Sequence, residues 1–317
     1  MNQKSVIGYG SQFAILLGLL GVGLMLSGLL MGLVTAQLLH LPISKAGDAL
    51  LKPENLQLSR LLNVLASFII FFIPAWAVAK IGYKKSFQTM GFNANSSRKQ
   101  WFLVVFISVG ALFLSGALGA LNEIIPMPAA FLRKAREIEA QYKQAMLSMA
   151  TMRNWGDYLL SLLVIAVAPA VFEEVLFRGG VQRIMVGWTK SAFWGILISS
   201  IIFSAIHGSY FGFLPRVGLG IVLGLLYYQS KNIWLNIAMH FINNGIVVTQ
   251  LYILNRMKKP IDQAMDETMP IWIGLIAIAF LVAAFKVFKN ESKKIAEKTD
   301  LFRATNQPEA QFNSTEE

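Results

Sequence analysis

The sequence contains no cysteine, which removes disulfides, thiolate nucleophiles and cysteine-held metals from consideration. Charge is scarce: 14% of the 317 residues are Asp, Glu, Lys or Arg, against about 25% in a soluble domain. Histidine occurs only as His40, His207 and His240. No His-Glu-x-x-His sequence is present, which argues against a zincin-type metalloprotease. The serine of His207-Gly208-Ser209 lacks the Gly-x-Ser-x-Gly setting of a nucleophile elbow, and no Gly-x-Gly-Asp sequence offers an intramembrane aspartyl site. Internal repeats and a second domain are absent as well.

What fills the chain is apolar: 55% of residues are hydrophobic and the mean hydropathy is +0.55. The composition predicts an all-α polytopic membrane helix bundle. Runs of spanning length, about 20 residues, occur at roughly 13–36, 61–79, 101–121, 158–178, 191–207, 233–253 and 269–288, with a shorter one at about 214–228. That makes about eight transmembrane helices, of which the short run is the weakest. The first run exceeds a signal-peptide core and follows a single basic residue, Lys4, so it reads as a retained membrane helix. Trp101, Trp155, Trp234 and Trp272 fall at run starts, as an interfacial aromatic belt would place them.

The net charge of +11 sits in connections between runs, which fits topology and anionic lipid better than nucleic acid. Lys80, Lys84, Lys85, Arg98 and Lys99 in one connection, and Lys286, Lys289, Lys293, Lys294, Lys298 and Arg303 at the end of the chain, fall on one side if there are eight spans. The expectation is an integral protein of a bacterial cytoplasmic membrane with both termini in the cytoplasm. Residues 1–290 form the transmembrane domain, with a core at 158–255. An amphipathic connecting helix is expected over about 128–153, where Phe131, Ala135, Ile138, Tyr142, Ala145 and Met149 recur at helical spacing. It is either a surface connector or a lid over a substrate entrance. Residues 291–317 turn polar and read as a disordered tail.

One stretch contradicts its surroundings. Glu173, Glu174 and Arg178 lie within a hydrophobic run, in Ala170-Val171-Phe172-Glu173-Glu174-Val175-Leu176-Phe177-Arg178-Gly179-Gly180. Ionisable groups in a bilayer are costly and mark functional sites by default. Residues four apart share a helical face, so Glu174 meets Arg178 and His240 lies beside Asn244. Glu173 points about 100° away and is left without a partner on its own helix. If the chain turns back near Thr189-Lys190, Glu173 and His207 lie at nearly equal distances from the turn, hence at one depth. His240 and Asn244 fall inside a third run. Pro169, lacking an N–H, frees the carbonyl of Ile165, and Gly179 and Gly180 admit a close neighbour. A desolvated glutamate near a neutral histidine suits a general base for water, and His240 with Asn244 suits hydrogen bonding to an oxyanion. Zinc on Glu173, His207 and His240 is a geometric alternative; the preferred reading has no metal and no cofactor. His40, at the end of the first run, reads as structural.

Three sequences carry a family resemblance: Glu173-Glu174-Val175-Leu176-Phe177-Arg178, Phe203-Ser204-Ala205-Ile206-His207 and His240-Phe241-Ile242-Asn243-Asn244. Complete and in order, they resemble the Glu-Glu-x-x-x-Arg, Phe-x-x-x-His and His-x-x-x-Asn motifs of the CAAX protease and bacteriocin-processing (CPBP/Abi) family of intramembrane proteases, which includes the type II CAAX prenyl endopeptidase. The resemblance implies an intramembrane glutamate-type endopeptidase acting on a membrane-tethered or lipidated peptide or protein. It implies Glu173 and His207 on the water, His240 and Asn244 at the oxyanion, and Glu174 and Arg178 as supports. Two other roles stay open: a non-enzymatic bacteriocin-immunity or scaffold protein, and a proton-coupled transporter.

Overall fold

The computed structural model describes residues 5–93, 95–149, 151–259 and 269–305, with side chains to 299. Helices account for nearly all of it. Six are long and apolar enough to cross a membrane: α1 (Tyr9–Leu39), α2 (Pro53–Gly82), α3 (Arg98–Glu123), α5 (Trp155–Thr189), α8 (Ile233–Arg256) and the apolar part of α9 (Ile271–Thr305). The amphipathic segment forms α4 (Ala129–Met149). The runs expected near 191–207 and 214–228 form the shorter helices α6 (Ala192–Ala205) and α7 (Phe213–Ser230). Every expected apolar run is therefore a helix, but among the described residues six have a spanning helix's length and hydropathy.

Local chemistry sets the helix ends. Ser97 opens α3 with a reciprocal capping box to Gln100, and Asn154, Ser191 and Asn232 accept first-turn N–H groups of α5, α6 and α8. Lys190, at φ 54°, turns α5 back into α6 at the position the sequence predicts. His40, at φ 50°, closes α1 and lies away from the glutamates in sequence and role.

Two apolar clusters meet along α5, α7 and α8. One joins α1, α2, α5 and α6 through Leu16, Val78, Phe177, Ile184 and Phe203. The other joins α3, α7, α8 and α9 through Ile107, Leu223, Met239, Leu281 and Phe288. Outward-facing Leu17, Val22, Met25, Leu29 and Leu33 of α1 remain exposed, a face suited to lipid.

The expected polar tail differs from its expectation where it is described. α9 continues to Thr305 rather than ending near 290. Its polar part is tied back: Ser292 accepts from Gln100 Nε2 at 3.0 Å, and Asn95 Nδ2 donates to Thr299 Oγ1 at 3.1 Å. Residues 306–317 of that expectation lie outside the described residues.

α4 is fastened at its C-terminal end by Arg60 of α2, a residue that is wholly buried. Arg60 Nε and Nη2 donate to the Met149 carbonyl at 3.1 and 2.6 Å, and Nη2 also reaches the Thr151 carbonyl and Ser161 Oγ. Asp157 lies 3.8 Å from Nη1. One guanidinium thus satisfies carbonyls that a helix terminus leaves open. We predict that Arg60→Met destabilises this end by about 2–4 kcal/mol. Limited trypsinolysis should then nick α4 faster than in the wild type; an unchanged nicking rate would rule the anchor out.

Candidate active site

The α5–α6 hairpin sets the register. The rings of Phe177 and Phe203 meet edge to face at 5.0 Å, and Arg178 Cζ lies 5.6 Å from the Phe203 centroid. One turn further from Lys190 on each arm come the glutamate pair and His207, so the depth match read from spacing holds. Phe203 also contacts both histidines, with centroid distances of 5.0 Å to His207 and 6.3 Å to His240. The first residue of the Phe-x-x-x-His sequence is a spacer between the two rings.

Near this level the helices leave ordinary α geometry. α5 is π-helical over Leu162–Val167 and Val175–Gln182, and α2 over Phe68–Phe72. Such turns recur at functional sites. Here Phe68 and Phe72 press edge-on against Phe172, the residue before Glu173. Gly179 lets the backbone of α5 approach Met90, which a Cβ would meet at 3.1 Å.

Glu174 is fully buried and fully engaged. Its Oε2 lies 3.1 Å from Arg178 Nε and accepts from Asn236 Nδ2 at 3.2 Å, while its Oε1 is 3.0 Å from His240 Nδ1. A carboxylate only accepts, so His240 Nδ1 carries the proton in this pair and Nε2 is turned outward. That nitrogen lies 3.9 Å from Glu173 Oε2. Both glutamates therefore meet His240, and the nearer is Glu174, whereas spacing had pointed Glu173 alone toward the histidine helices. Exposure separates them: the Glu173 side chain is 13% accessible and that of Glu174 is 0%. Of the two, only Glu173 has side-chain surface left uncovered by the protein.

His207 lies just beyond the end of α6, half-buried, with Nδ1 donating to the Phe203 carbonyl at 2.7 Å. A carbonyl cannot donate, so this bond leaves neutral His207 with its lone pair on Nε2. Its loop is held from three sides. Asn122 at the end of α3 donates to the Tyr210 carbonyl and accepts from Leu214 N; Ser204 Oγ donates to the Phe213 carbonyl; Ser209 Oγ donates to Glu139 Oε2 of α4 at 2.6 Å. Phe131 of α4 also packs on Tyr210 at 5.3 Å. α4 thus packs over the loop carrying His207, with an open pocket of about 280 Å³ between them.

Asn244 sits one turn beyond His240 and donates from Nδ2 to the Ile165 carbonyl at 3.1 Å. This carbonyl lies in the first π-helical stretch of α5, four residues before Pro169, so one amide of α8 ties down the irregular part of α5. An apolar cleft of about 540 Å³ runs alongside, lined by Tyr158 and Leu162 of α5 and Phe241, Gly245 and Thr249 of α8. Among the described residues no group of three His, Asp or Glu stands together as a metal site, so the alternative zinc set of Glu173, His207 and His240 is not assembled as one.

Sequence reasoning missed Asn236. It is fully buried on α8, one turn before His240, and its Nδ2 bridges Glu174 Oε2 and the Leu223 carbonyl at 2.7 Å. The signal available was its spacing, Asn236-x-x-x-His240-x-x-x-Asn244, one polar stripe on an apolar helix. We predict that Asn236→Ala lowers kcat about tenfold with little change in KM, by loosening the carboxylate that orients His240. A change confined to KM would contradict that positioning role.

With this geometry in place, comparison with known proteins gives two matches. Residues 155–246 match the family described as "Type II CAAX prenyl endopeptidase Rce1-like", a stretch that contains every residue discussed above from Ile165 to Asn244. A protein of Bacillus subtilis (strain 168), described as "Putative membrane peptidase YdiL", is 32% identical over 89 residues. That alignment takes in 28% of this chain and 36% of the relative's length. No solved structure matches the chain.

Proposed function

We propose that this chain, whose residues 155–246 match the Rce1-like CAAX protease family of membrane peptidases, is an intramembrane endopeptidase. It hydrolyses a peptide bond of a membrane-tethered or lipidated protein with water activated by Glu173 and His207. The observation that carries this reading is the pairing of one partly uncovered carboxylate, Glu173, with a histidine whose far nitrogen is fixed by a second, buried carboxylate. An ion-pair network serving structure alone has no reason to keep one of its acids partly exposed.

The steps follow from the hydrogen bonds. Water held between Glu173 and the Nε2 lone pair of His207 gives its proton to Glu173 as its oxygen attacks the carbonyl carbon. The resulting oxyanion takes hydrogen bonds from Nε2–H of His240 in its doubly protonated form and from the second N–H of Asn244. Collapse of the tetrahedral adduct breaks the C–N bond, and the proton on Glu173 passes to the departing amine. Glu174 and Arg178 hold the histidine ring without touching substrate. No cofactor enters these steps, so cleavage is expected to persist in a chelator.

The two short helices α6 and α7 complete eight crossings in this reading. Both termini then lie with the basic connections on the cytoplasmic side of a bacterial membrane. Comparative membrane proteomics of cells carrying wild type or Glu173→Gln tests the function. An uncleaved precursor should accumulate in the variant; identical proteomes, with partner binding or immunity retained, would favour a scaffold role instead.

A further inference from the structure

One charged side chain near the reacting groups belongs to none of the three motifs. Arg216, in the first turn of α7, has its Nη1 sealed from solvent and without a hydrogen-bond partner. Its guanidinium is nonetheless held in place. It lies against the backbone of Gly212, where a Cβ would collide with it, and its Cζ is 5.1 Å from the Tyr142 ring of α4. Among the described residues no carboxylate lies within ion-pair distance of it. The nearby acid of α4, Glu139, is already taken by Ser209 Oγ.

Arginine keeps its charge at any working pH, and an Nη1 held away from water without an acceptor is costly, although the side chain as a whole is only half-buried. A group retained under those conditions is suited to a partner that arrives later. Its position says where. After burial itself, the Arg216 charge is the largest electrostatic influence on His207, and it also acts on Glu173. Arg216 therefore flanks the loop that begins at His207, between Gly212 of that loop and Tyr142 of the covering helix α4.

We propose that Arg216 binds a carboxylate of the substrate close to the scissile bond, on the His207 side of the site. This rests on the peptidase reading, because the anions an unmodified peptide offers are carboxylates, and the planar guanidinium fork matches them. Tyr142 backs the guanidinium from outside, so a bound carboxylate also draws α4 onto its substrate. The carboxylate comes from an acidic side chain or from the chain terminus, and the two are separable.

The test uses fluorescent palmitoylated peptides in nanodiscs in four forms: one internal Glu or Gln in its place, each ending as the free acid or the amide. Binding is measured to the full chain carrying Glu173→Gln, so cleavage does not interfere. A carboxylate-bearing form should bind about tenfold more tightly than the neutral form. Arg216→Met should shrink that gap below about twofold, and Arg216→Lys, which keeps the charge without the planar fork, should restore only part of it. Which form shows the gap identifies side chain or terminus. No preference in the parent protein, including no binding of any form, overturns the proposal, as does a gap that survives Arg216→Met. If the wild type cleaves acid and amide forms alike, the carboxylate site fails and the peptidase stands. If it cleaves none but the gap tracks Arg216, the peptidase reading fails and the site stands.

Discussion

Replacing Glu173 by glutamine should cut the cleavage rate by about a thousandfold, within the range general-base removal produces, while leaving the protein at least as stable as before. The two halves of this expectation have one cause. Glu173 is the acid whose oxygens are not spoken for: the nearest ring nitrogen, His240 Nε2, is 3.9 Å away. Glutamine keeps the shape, loses the proton acceptor and removes a partly buried charge. Single-turnover cleavage, paired with a thermal melt of the same preparation, reads both. A variant that retains more than a tenth of the wild-type rate would remove Glu173 from the mechanism.

The adjacent residue should behave in the opposite way. Glu174→Gln is expected to cost about 3–5 kcal/mol of stability, because it strips the counter-charge from a guanidinium with no exposed surface. Arg178 Nη1 and Nη2 have no other partner among the described residues. Adding Arg178→Met should recover much of the loss, since an apolar pair is tolerated where a lone buried charge is not. Activity should stay low in the double variant, because His240 has lost the acceptor that orients it. A single variant that melts like the wild type would show the Glu174–Arg178 pair to be dispensable. Two neighbouring glutamates thus separate chemistry from stability.

The parts of the site legible in the sequence were those set by arithmetic along the chain. Glu174 and Arg178 meet because they are four apart, and Glu173 and His207 share a level because they are equidistant from Lys190. What escaped depends on rotation between helices. The carbonyl of Ile165 and the amide of Asn244 were each visible, but joining them needs the facing of α8 against α5. The turn of about 100° per residue between Glu173 and Glu174 also does not decide which acid meets His240, because the ring reaches both through its two nitrogens. Arg60 escaped for another reason: at the start of an apolar run it looks like an ordinary interfacial arginine, and its partners lie about ninety or more residues downstream. The lengths of α6 and α7 show the limit of hydropathy, which registers a run without saying whether its helix ends inside or beyond the bilayer.

The distance from Arg60 to its partners also bears on how the protein is made. α2 emerges from the ribosome while Met149, Thr151 and Ser161 are still untranslated, 89 to 101 residues away. At about 5–20 residues per second, that guanidinium waits for several seconds at least. During that interval only Gln57 of its own segment, water and lipid phosphate at the interface can satisfy it. α2 must enter the bilayer provisionally, high enough to keep Arg60 wet, and settle once α5 has followed. The last contact of the covering helix is then also a checkpoint on assembly.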